Sequence, residues 1–444
     1  MKKVLVVLII WCVNSVSFDL RAQNNGKNQI VNNQTKEVKI DKIEISKNWI
    51  SRDFVIKKEL LFEEGDTVTF GQIDASITNV WNIGNFSDVH YSIIQKPEGN
   101  TLELTAHDAV KFYPALAVDH SSKNDYQYVL GYGDGNFLGT NVGVNALWDK
   151  KPTGTSWVFN IAIPRQLLYK NMTAQFGFNK GEDTKVFLER EVNEENGKKH
   201  ADYKTLMLAP YHKLSFNAII GNPWHLDYEY KFTPNFSLSY SQHQVDHSLV
   251  ENEDFTQGIT VPEKEYTYLG IGISESVGII NIERHRKDGY RASASYNVNV
   301  GLMGTKSFHG FGLGAEYHKI FSKLIQFSAR ANTGLTTASD QYKFIMGPGD
   351  VLGLRYGELF GKKSYSAYAG SHFTWINNKW ISVENAYFLN WGAADDSYSK
   401  LFTKVPTASI GTFIEFRLPI APIVAFRLTF MYAGVGTEWF KFNM

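Results

Sequence analysis

Cysteine is all but missing from this chain. Its 444 residues contain one, Cys12, inside the N-terminal apolar stretch. Trp11 directly before it argues against a lipoprotein cleavage site. Past that stretch, disulfide frameworks and thiolate chemistry are excluded. No sign of charge dominates either: 45 basic residues face 45 acidic ones, which gives no reason to expect a nucleic-acid partner. Long apolar runs are absent. None approaches the roughly 18 residues that a membrane-crossing helix needs. Phosphate-cradling Walker and G-x-G-x-x-G loops are missing, as is a G-x-S-x-G elbow; "GISES" at Gly272 lacks the final glycine. The pair His243 and His247 falls at a strand end and in a loop, not on a helix, so it does not read as a metal site. No catalytic constellation, metal centre or cofactor site emerges, and the chain is not read as an enzyme.

Aromatics are plentiful at 14%, and the 36 glycines punctuate them, a mixture that suits many strands. Lys2 and Lys3 precede an apolar run from Val4 to Val13, followed by the small Ala22. Residues 1–22 read as a secretory signal, too short in its apolar part to span a bilayer. Residues 23–36 are a polar, Asn- and Gln-rich tether. With export and no apolar helix, two options remain: a protein soluble outside the inner membrane, or a transmembrane β-barrel, whose signature is alternation.

Residues 37–110 alternate between strand and helix signals in the order β-α-α-β-β. Ile40, Ile43 and Ile45 mark the first strand. Ser51 is expected to cap a helix carrying Phe54, Val55, Lys58 and Leu61, and Asp74–Asn82 is a second helix. Gly84 is placed for a left-handed C-cap, after which Phe86 and Val89 turn inward as a strand begins. The stretches "IKKELLFEEGD" (Ile56 to Asp66) and "VWNIGNFSDV" (Val80 to Val89) resemble the two motifs of a POTRA domain, the periplasmic module of the BamA/TamA outer-membrane superfamily. One such module fits here, where BamA usually carries five.

From residue 111 to 444 the chain alternates segment after segment. "FSLSYSQ" sets Phe236, Leu238 and Tyr240 against Ser237, Ser239 and Ser241, and "SIGTFIEFRL" sets Ile410, Ile414 and Phe416 against Ser409, Glu415 and Arg417. "HLDYEYKF", with Leu226, Tyr228, Tyr230 and Phe232 on one face, reads as a further strand. A soluble sandwich would alternate too, but the signal and the POTRA resemblance favour a transmembrane antiparallel β-barrel of about 16 strands, closed because lipid offers no hydrogen bonds. Residues 181–223 hold an extra hairpin or an elaborated external loop. "DGNFLGT" (Asp134 to Thr140) is similar to the first periplasmic turn of the superfamily.

The resemblance also implies a luminal loop. The family's loop tip, an Arg followed by glycine and an aromatic, stands here as Arg355, Tyr356 and Gly357, with the last two exchanged. The family's partner motif, F-x-D-x-G, reads "FLNWG", with Phe388 and with Asn390 in place of Asp. Glu384 shares that row, so Arg355 is expected to be held by Glu384 and Asn390, because a buried cation needs a partner and the guanidinium fork takes two acceptors. Phe440 and Phe442 stand where the family has its C-terminal assembly signal. The resemblance implies an outer-membrane protein of a Gram-negative bacterium with its POTRA domain in the periplasm. Its implied partners are outer-membrane lipid, unfolded or partly folded client polypeptides, and a periplasmic protein met through the POTRA domain. Its implied work is inserting or exporting those clients, with a dedicated secretion pore and a structural barrel as alternatives.

Overall fold

A computed structural model describes residues 36–443 except 122–123, 152, 169–171, 196–197, 223, 228–229, 251–262, 284–285, 339–343, 347–349, 353–356, 379, 404–405, 419–420 and 434–439. The expected signal, the tether up to residue 35, Arg355 and Tyr356 therefore lie outside the described residues.

The chain begins with an α+β unit: β1 (Glu37–Lys39), β2 (Lys42–Ser46), α1 (Asp53–Lys57), β3 (Thr67–Thr69), α2 (Phe70–Asn82), β4 (Phe86–Lys96) and β5 (Gly99–Asp108). β2 and β5 pair in parallel, β4 joins β5 antiparallel, and β4 stands at the end of that sheet. The helices cover one face. Ile40, Ile56, Ile73, Val80, Leu102 and Leu104 are fully buried between them. On the other face Lys42 and Lys96 hold the Glu44 carboxyl down at about 2. Gly84 turns at φ +77°, and Phe86 and Val89 lie in the core immediately after it.

Both helices start differently from the sequence expectation. α2 begins four residues earlier than Asp74, because Thr69 and Gln72 form a capping box. Ser51 does not cap α1. Arg52 holds that position without a side-chain bond, while the buried Ser51 hydroxyl donates to Asp108 Oδ1. A tertiary carboxylate outcompeted the local cap.

The rest is one antiparallel sheet: β6 (Phe112–Ser121), β7 (Asn124–Phe137), β8 (Val142–Lys151), β9 (Gly154–Ile163), β10 (Thr173–Glu195), β11 (Lys198–Gly221), β12 (Trp224–Asp227), β13 (Tyr230–Val245), β14 (Glu265–Val277), β15 (Ile280–Glu283), β16 (Arg286–Leu302), β17 (Phe308–Ile320) and β18 (Ile325–Thr336). A small hairpin, β19 (Phe344–Met346) with β20 (Leu359–Gly361), interrupts it. It resumes with β21 (Lys363–Asn377), β22 (Ser382–Asp395), helix α3 (Tyr398–Thr403), β23 (Thr407–Leu418), β24 (Ala421–Ala433) and β25 (Phe440–Asn443). The hydrogen-bonded order runs from β6 through β25 and returns to β6. β12 and β15 are short arms beside β13 and β16, since β11 pairs directly with β13 and β14 with β16. The remaining sixteen of these eighteen strands are the staves.

Alternation along the staves follows pleat geometry. Phe236, Leu238, Ile410 and Phe416 face outward and are exposed, whereas Ser409 and Glu415 face inward and are buried. In the stretch 181–223, β10 and β11 pair along one long antiparallel ladder, with a bulge between Phe187 and Leu188. "HLDYEYKF" is not one strand. Its two ends belong to β12 and β13, which pair antiparallel with His225 opposite Lys231 and Asp227 opposite Tyr230, where alternation alone shows no break. No described helix is long and apolar enough to cross a membrane, which says nothing of strands.

Candidate functional site

Two places bring together side chains that the fold alone does not require. The first is the inside of the ring, where described residues of the segment between β18 and β21 meet two walls. The Leu352 N–H donates to Asn390 Oδ1 on β22 (3.0 Å), and the Gly357 carbonyl accepts from the Leu188 N–H on β10 (2.9 Å). β10 and β22 lie eight staves apart in either direction around the ring, so these anchors sit on opposite walls. Gly357 adopts φ +87°, and a Cβ there would lie 2.2 Å from the Val186 carbonyl oxygen, so the close approach to β10 requires glycine.

The crossing is packed as well as hydrogen-bonded. Val351 is fully buried against Met346, Leu359 and Ala394. Phe360 meets Phe187 of β10 edge-on at 4.9 Å, in a dry cluster with Leu206 and Met207. The bulged β10–β11 hairpin therefore contributes to the same seal. Val351→Asp places an unpaired carboxylate among Met346, Leu359 and Ala394 at a cost of several kcal/mol. Expected result: conductance of the purified protein in planar bilayers rises. Unchanged conductance would mean that the segment does not obstruct the bore.

Below the crossing, the sequence-predicted residues line up on β22. Phe388 is buried against Ala386, Phe413 and Met431. Asn390 holds the segment through the Leu352 main chain. The Glu384 carboxylate meets His372 Nδ1 at 2.8 Å, a partner that sequence reading missed. His372 stands diagonally across the β21–β22 ladder from Glu384, a relation visible only once register is known. Glu384 is directly opposite Glu415 of β23, and Glu415 accepts hydrogen bonds from both Arg417 and Arg427. The Arg427 guanidinium lies 4.3 Å over the Phe413 ring. Among the described residues no group of three or more His, Cys, Asp or Glu side chains is arranged to hold a metal.

The second place is the dock between the α+β unit and three turns of the sheet. Glu59, buried just after α1, takes Arg165 and Gln166 from the β9–β10 turn. Beside it, Lys58 Nζ donates to the Gln166 carbonyl (2.9 Å). Asn136 Nδ2, in the "DGNFLGT" stretch, donates to the Ser51 hydroxyl (2.8 Å), and the Arg52 N–H to the Gly139 carbonyl (3.0 Å). Asn82 at the end of α2 binds Asn281 and the Ile282 N–H of the β15 arm. Sequence reading missed this dock, since its partners lie tens to hundreds of residues apart.

Phe440 and Phe442 pair through their backbones with Phe430 and Leu428 on β24, and Phe442 also pairs with His120 of β6. The β25–β6 junction has three register pairs among the described residues: Lys441 with Ser121, Phe442 with His120, and Asn443 with Asp119.

The backbone path matches solved structures. BamA from Haemophilus ducreyi lacking POTRA domains 1-3 superposes with a TM-score of 0.52 at 13% identity, covering 92% of this chain and 84% of that one. The chain has the fold of the BamA superfamily barrels. CdiB from Escherichia coli gives a TM-score of 0.60 at 9% identity, over 93% of this chain and 76% of that one. CdiB from Acinetobacter baumannii gives 0.56 at 12% identity, over 91% and 74%. No family model and no curated protein matches the sequence. The likeness is thus one of backbone path, at 9% to 13% identity.

Proposed function

We propose that this chain is a single-POTRA transmembrane β-barrel of a Gram-negative outer membrane that helps insert or translocate other polypeptides, without covalent catalysis. The outward apolar face supports a lipid surround. So do large aromatics near the stave ends and turns: Trp157, Trp375, Trp380 and Phe402 are all strongly exposed, as interfacial girdle residues are. The α+β unit, read as the POTRA domain, then lies in the periplasm.

The observation that carries the reading is that the ring closes between its last and first strands, β25 and β6. Parting that junction exposes two strand edges to the bilayer. β4, at the end of its own sheet, offers a second edge to an incoming strand. The packed crossing favours this lateral route over an open bore.

Depleting the protein and comparing the outer-membrane proteome tests the proposal. Loss of many barrel proteins is the expected result. Loss of one secreted protein would instead indicate a dedicated secretion pore, and an unchanged proteome a structural barrel without clients.

A further inference from the structure

Beneath the crossing segment the ring encloses a chamber of about 420 Å³, roofed by Leu352 and Asn390. Four cationic side chains line it, Lys287, Arg330, Arg417 and Arg427, against two carboxylates, Glu316 and Glu384. The carboxylates are engaged: Glu316 by Arg291 and His318, Glu384 by His372. Arg417 and Arg427 share Glu415. Counting Arg291 and Glu415 with the lining leaves the excess of two positive charges unchanged. Among the described residues the Arg330 and Lys287 side chains make no hydrogen bond or ion pair. A neighbouring luminal cavity, lined by Arg291, Arg330, Glu275 and Glu316, balances its charges, so the excess belongs to this chamber.

We propose that the chamber is a binding site for a phosphate-class oxyanion. A phosphate group carries close to two negative charges at neutral pH and offers several acceptor oxygens. Guanidinium forks match those oxygens in pairs, and a cleft lined by one sign of charge between low-dielectric walls concentrates the opposite ion. The site also touches the dock. Lys287 is the register partner of Ile282, whose N–H is held by Asn82 of the α+β unit. Ligand on Lys287 and unit on Ile282 therefore bear on one short hairpin.

Isothermal titration of the full chain in a nonionic, phosphate-free detergent solution provides the test, with inorganic phosphate and glycerol 3-phosphate as probes. Expected is saturable one-site binding that weakens with salt. Arg330→Gln and Lys287→Gln each lose about tenfold or more in affinity, as loss of a charged hydrogen-bonding partner implies. Lys213→Gln, which lines a separate cavity beside Trp157 and His212, leaves binding unchanged. Tighter binding of glycerol 3-phosphate identifies a lipid headgroup as the source, and tighter binding of inorganic phosphate a free ion. Heat-modifiable migration on gels verifies that each variant is folded. Absence of saturation, equal affinity in the folded R330Q/K287Q double variant, or an equal loss in Lys213→Gln would overturn the proposal.

Discussion

Ser121→Cys combined with Lys441→Cys, oxidised to a disulfide, is expected to abolish client insertion in cells that lack the wild-type copy, and reduction is expected to restore it. The two positions are register partners across the β25–β6 junction. Paired residues on antiparallel strands have Cα atoms about 4.5–5.5 Å apart, within the span a disulfide bridges. The only native cysteine is Cys12, in the stretch read as a signal, so the engineered pair has no competitor in the barrel. A matching pair at Thr412 and Phe430, register partners inside the long β23–β24 ladder, should leave insertion intact. Covalent closure of the junction blocks edge exposure without touching the lumen or the α+β unit. Full activity with the junction locked would sink the lateral route.

Glu59→Ala should release the α+β unit from the barrel. Glu59 is buried and receives both Arg165 and Gln166, so its removal leaves Arg165 at a dry interface without its carboxylate. Removing one partner of a buried ion pair costs about 3–5 kcal/mol, far more than the pair contributes relative to apolar replacements. The expected readout is faster proteolytic cleavage at residues 109–111, between β5 and β6, where Ala109 is now buried. The barrel itself should keep its heat-modifiable migration. Glu59→Leu with Arg165→Met should recover much of the protection, because neither buried charge is then left alone. Equal cleavage rates in wild type and Glu59→Ala would show that the dock does not hold the unit in place.

The sequence was legible where a residue's environment depends on its neighbours along the chain. "SIGTFIEFRL" could be read as a two-faced strand because alternation is local, and Ile410 and Phe416 are exposed while Ser409 and Glu415 are buried. The helix-to-strand elbow at Gly84 was readable because a left-handed turn and an inward aromatic fall within three residues. Reading failed where a distant group intervened. Ser51 has every local qualification for a cap, yet Asp108 takes its hydroxyl. "HLDYEYKF" alternates without a break, yet its ends lie on two strands that pair with each other, since period two is preserved on both.

The luminal site shows the same division. Glu384, Phe388 and Asn390 could be placed on one stave from the family resemblance and the row they share, and all three are buried there. That His372 meets Glu384, that Glu415 sits between two arginines, and that Gly357 reaches β10 depends on ladder register and on which walls face one another.

By itself the sequence determined a small α+β unit and a long series of two-faced strands, because side-chain alternation and turn chemistry act over a few residues. Only the tertiary structure decided how those strands pair, which cations share which carboxylates, and how the unit seats on three turns. Those outcomes follow from register and ring closure, which bring together side chains up to about two hundred positions apart, as Asn82 and Ile282 are.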